Sequence, residues 1–91
     1  MAEYLIEMYV ARTDADAVGR GGTLAREAAE ALLREGTAVH YLRSIFVPED
    51  ETCFYVYEAD SVDAVRAAAE RASLPATRVL EAETVPNGFQ R

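Results

Sequence analysis

Residues 38–60, "AVHYLRSIFVPEDETCFYVYEAD", decide the fold. Two runs rich in aromatic and β-branched residues flank the polar tip "PEDE" at 48–51, and this pattern predicts a hairpin with strands over 38–47 and 52–59. Upstream, "EYLIEMYV" at 3–10 reads as a strand. Downstream, "RVLEAETV" at 78–85 reads as another. Between them lie two helical patterns. The first spans 24–35, with Thr23 as N-cap, Gly36 just past its end, and Leu24, Ala28, Ala31 and Leu32 on one stripe. The second spans 62–72, capped by Asp60 or Ser61, and Pro75 forbids its continuation. Residues 11–22, "ARTDADAVGRGG", show no period and read as a flexible loop, and 86–91 read as a tail. The order β-α-β-β-α-β predicts an α+β chain of ferredoxin-like plan. It is a single domain over 1–91, with a four-stranded antiparallel sheet and both helices on one face.

Bulk properties narrow the function. Ninety-one residues support one thin core, so help from a second subunit is expected. Sixteen acids against nine bases give a net charge of −7, and the bases are scattered arginines. Nucleic acid and anionic membrane are therefore poor partners. The absence of Lys removes Schiff-base chemistry. One Cys and one His exclude an internal disulfide, a Cys-based zinc site and any His-rich metal motif. No run reaches the ~20 apolar residues of a membrane span. The acid-interrupted N-terminus does not read as a signal peptide, so the expected location is cytoplasmic.

Alternation of side chains along strands assigns the faces. The set expected under the helices is Ile6, Met8, Leu42, Phe46, Phe54, Val56, Leu80 and Ala82, with Ser44 as its polar exception. The opposite set, expected on the open face, is Leu5, Glu7, Tyr9, Tyr41, Arg43, Ile45, Cys53, Tyr55, Tyr57, Val79, Glu81 and Glu83. So large an apolar and phenolic surface predicts a homodimer that packs sheet against sheet. Within it, Glu7 and Arg43 would be costly to bury unpaired. An aromatic cavity with a few convergent polar groups is the usual form of a small-molecule site. The expected catalytic residues are Glu7 as base, Arg43 to hold negative charge and Tyr55 as hydrogen-bond donor. The expected ligand-binding residues are Tyr9, Tyr41, Cys53, Tyr57 and Glu81. No cofactor is expected. His40, the one imidazole, is a candidate metal ligand or a structural histidine. Cys53 is also read as a small buried hydrophobe. The acids of "TDAD" and "PEDE" lack the ligand count of a calcium loop. "VGRGG" at 18–22 lacks the full phosphate-loop pattern and reads as a connection or a lid.

The segments "YLRSIFVPEDETCFYVYEAD" and "RASLPATRVLEAE", with the opening "YLIE", resemble a family of small ferredoxin-like proteins. These are common in actinobacteria, were formerly a domain of unknown function, and are often labelled nickel-binding. The resemblance implies a dimer of ferredoxin-like subunits, akin to an α+β barrel, and a nickel site. It also places histidines of the family at Arg43 and Ala68. Three functions follow. The first is a cytoplasmic homodimer with a sheet-face pocket for a small organic molecule, where acid/base chemistry of isomerase or cyclase type could run. The second is a protein that binds or sequesters divalent metal. The third is a structural or regulatory dimer without ligand.

Overall fold

A computed structural model describes residues 1–75, 78–83 and 85. The elements are β1 (Ala2–Tyr9), α1 (Ala15–Arg34), β2 (Val39–Val47), β3 (Thr52–Ala59), α2 (Val62–Arg71) and β4 (Arg78–Ala82). A short 3₁₀ turn, Pro48–Asp50, joins β2 to β3. The sheet order is β2-β3-β1-β4, and every neighbouring pair is antiparallel. This is the expected ferredoxin-like plan.

The principal departure lies before the first expected helix. α1 begins at Ala15, so most of the expected 11–22 loop is helical. Two of the three glycines that argued for a loop serve packing instead. Gly21 and Gly22 are buried, and they let α1 descend onto the sheet. A Cβ on Gly21 would overlap the Tyr55 hydroxyl and lie 2.8 Å from Cζ of the same ring. A Cβ on Gly22 would stand 3.0 Å from the Tyr41 hydroxyl and 3.1 Å from the Ser44 Oγ. Thr23 is no cap: its Oγ1 donates back to the Gly19 carbonyl at 3.2 Å. At the other end, Gly36 takes φ 101°, and Thr37 N–H donates to the Leu32 carbonyl at 2.9 Å. This closes α1 with the left-handed residue that glycine tolerates best.

α2 starts as its sequence indicates. The Ser61 Oγ accepts from Ala64 N–H at 3.2 Å. Its buried face is Ala64, Val65, Ala68 and Ala69. Between the helices and the sheet lies a core that includes Tyr4, Ile6, Met8, Ala25, Leu32, Val39, Cys53, Tyr55, Tyr57 and Val65. The hairpin tip is tied to the chain leaving β1. Val10 N–H donates to the Glu51 carbonyl and Arg12 N–H to the Glu51 carboxylate, both at 3.0 Å. The expected tail at 86–91 lies outside the described residues.

Candidate functional site

Register settles which side chains share a face. Ile6 pairs with Tyr55, Met8 with Cys53 and Tyr4 with Tyr57. Directly paired residues point to the same side of a sheet. Cys53, Tyr55 and Tyr57 therefore point to the helices together with Ile6 and Met8, and all three are fully buried. They do not line the open face as expected. β3 is an interior strand that is apolar on both sides, so its own alternation carries no sign of which side is which.

β2 contains an irregularity between Tyr41 and Arg43 that makes Leu42 an extra residue. Tyr41 pairs with Tyr57, while Arg43 pairs with Val56 and Ser44 with Tyr55. This bulge reverses the phase within one strand. Tyr41 and Ser44, three apart, both face the helices, and their hydroxyls share a hydrogen bond. Arg43 and Ile45 face away from the helices. Leu42, expected inside, is 40% exposed. Phe54, Val56, Leu80 and Ala82 likewise belong to the open face, because their partners there are Glu7, Leu5 and Glu3.

Tyr41, Tyr55 and Tyr57 form a cluster beneath α1, with Tyr55 and Tyr57 fully buried and Tyr41 half-buried at its edge. The Tyr55 hydroxyl donates to the Val18 carbonyl at 3.1 Å. The Tyr41 ring meets Tyr57 edge to face at 5.7 Å and Tyr55 at 6.3 Å between centroids. Among the described residues the Tyr57 hydroxyl has no hydrogen-bond partner. Burial pushes the Tyr55 phenol well above its ordinary range, and the neighbouring Cys53 adds to this. Burial and then Tyr41 do the same to Tyr57. The Cys53 thiol is also raised by burial, against a hydrogen bond with Tyr55 that lowers it.

The open face is arranged in cross-strand rows. One row holds His40, Glu58, Glu3 and Ala82, the next Arg43, Val56, Leu5 and Leu80, and the next Ile45, Phe54, Glu7 and Arg78. Tyr9, 65% exposed, follows beyond Glu7 along β1. Glu7 lies in an apolar setting, and its partner is Arg78, whose Nε donates to it at 2.9 Å. It is not Arg43, which makes no ion pair among the described residues. The expected trio is thus divided. Glu7 and Arg43 share the open face in adjacent rows, and Tyr55 lies behind the sheet. Of the expected ligand-binding group, only Tyr9 is on the open face. Glu81 is exposed on β4 in register with Tyr4. With Glu3, Glu58 and Glu83 it lines an open acidic groove at one end of the sheet. Sequence reasoning missed Arg78, and the cue was available, since a β1–β4 pairing brings Glu7 opposite Arg78. Among the described residues no three His, Cys, Asp or Glu side chains converge as a metal site.

A family model described as nickel responsive protein SCO4226-like matches residues 5–82. The crystal structure of SCO4226 from Streptomyces coelicolor A3(2) is similar, with a TM-score of 0.68 and 21% identity. That similarity covers 92% of this chain and 99% of the other. No curated protein matches the chain.

Proposed function

The chain belongs to the SCO4226-like family of nickel-responsive proteins, and within that family we propose that it works as a homodimeric binding module. Two copies pair open face to open face, and a small organic molecule binds between them. One observation carries this reading. Leu5, Ile45, Phe54 and Leu80 form a partly exposed apolar field around the buried Val56 on the open face, with the Glu7–Arg78 pair set into it. A second copy would remove that field from water, and apolar burial is the main driving term for association. Glu7 and Arg78 would then supply the oriented polar contact of an otherwise greasy space. Binding suits the site better than acid/base turnover, since Glu7 is held by a cation and the one phenol on its side of the sheet among the described residues, Tyr9, stands 65% exposed at the end of β1.

Light scattering on a sizing column tests the reading. The expected mass is about twice the 10.0 kDa of one chain. Ile45→Arg, at a position already 42% exposed, should halve that mass without unfolding the chain. A clean monomer at micromolar concentration would sink the proposal.

A role that depends on nickel, which the family description favours, would have to fall on His40 with Glu58 and Glu3, one row at the acidic end of the open face. These make a poor donor set for that ion.

A further inference from the structure

We infer that no single copy of this chain completes a nickel site, although its family is described as nickel responsive. The imidazole, thiol and carboxylate donors can be counted in full. The sequence has one His, one Cys and 16 acids. Residues 76, 77, 84 and 86–91, which lie outside the described set, include none of these four residue types.

Nickel(II) binds most firmly where imidazole nitrogen or thiolate sulfur makes up much of the coordination sphere. Cys53 cannot contribute. It is fully buried on the helix side of β3, in register with Met8 and Phe46, and burial raises its thiol. Reaching an ion would require opening the core. That leaves one imidazole. A ligating His normally has its other ring nitrogen fixed by a hydrogen bond, which sets the tautomer and aims the ring. The His40 ring makes no hydrogen bond among the described residues. Its neighbours in the row are carboxylates on successive strands. Strands stand ~4.8 Å apart, so Glu3 starts about 10 Å from His40, far beyond a shared ion with bonds of ~2 Å unless side chains reach inward. The groove at that end of the sheet is lined by Glu3, Glu58, Glu81 and Glu83 together with Met1 but not by His40, and its carboxylates suit hard ions and hold nickel loosely.

The experiment is titration calorimetry with nickel chloride on protein freed of any affinity tag. It is run on the wild type and on a variant shown by light scattering to be a folded monomer, Ile45→Arg, or Phe54→Glu where the first still pairs. The expected result is no submicromolar nickel site in either. A submicromolar site in the wild type that disappears in the monomer also supports the inference, and assigns the donors to two copies. A submicromolar site of one ion per chain that persists in the monomer and is lost in His40→Ala overturns it.

Discussion

Gly21 lies directly over the phenol of Tyr55, so that α1 and β3 meet at a point where no side chain intervenes. This contact explains why α1 carries a glycine at position 21, although glycine weakens a helix by ~1 kcal/mol relative to alanine. Gly19, two residues earlier, meets nothing within 4 Å. The pair makes an internal control. Gly19→Ala should raise stability by about 0.5–1 kcal/mol, through helix propensity alone. Gly21→Ala should lower it by about 1–3 kcal/mol, because the added methyl must displace a ring that is fully packed. Urea denaturation followed by circular dichroism measures both. Equal signs would show that the helix does not seat on Tyr55.

Alkaline pH should unfold the chain, and the sign follows from the phenols. Tyr55 and Tyr57 ionise far less readily when folded than in the open chain. The unfolded state therefore loses protons first, above its ordinary tyrosine range near pH ~10. Their contribution is complete below that pH and declines as pH rises toward the raised folded values. Each group contributes a slope of ~1.4 kcal/mol per pH unit. Cys53, raised in the same direction, starts the decline nearer pH ~8.5. Urea midpoints between pH 7 and 11 should fall, and Tyr57→Phe should flatten the upper part of the curve. At neutral pH the same substitution should be neutral or stabilising by about 1–2 kcal/mol, since it removes a buried hydroxyl without a partner among the described residues. A loss of more than that at pH 7 would show that the hydroxyl is bonded.

Arg78 and Arg43 should respond differently to removal. Arg78 holds Glu7 but is itself mostly exposed, so Arg78→Ala should cost no more than ~1 kcal/mol, with the loss shrinking at high salt. Arg43→Ala should leave the stability of a monomeric variant unchanged. Thermal melts at low and high ionic strength check both. A larger effect at Arg43 would show that Glu7 has exchanged partners.

Cys53 should resist thiol reagents in the native state and react in full once the chain is denatured. Burial in the core and a raised thiol both slow the attack. Absorbance on treatment with a chromogenic disulfide gives the rate. Labelling within seconds in native buffer would show that the tyrosine cluster opens, and would return the thiol to the list of metal donors.

The element order was legible in the chain because each strand and helix declares itself locally. The 52–59 strand and the Ser61 cap needed only spacing and residue type. What stayed hidden depends on pairing. The phase of β3 relative to β1 is set by which residues hydrogen-bond across the strands, and no count of apolar positions within "TCFYVYEA" reveals it. The same blindness assigned Tyr55 to the side of Glu7. The start of α1 was hidden for a different reason. Glycine has low helix propensity, and only the bulk of Tyr55 and Tyr41 opposite explains its presence in a helix.

The extra residue at Leu42 also bears on how this protein can associate. β2 is an outer strand, and its free rim would otherwise be a regular template for the next chain to extend. The bulge breaks that template midway, so a chain arriving at the rim cannot stay in step along the whole strand. Growth from rim to rim has no natural stopping point and leads to fibres. A meeting of faces is used up once two copies have met. By spoiling the first route at the β2 rim and leaving the second open, one extra leucine favours assemblies of finite size.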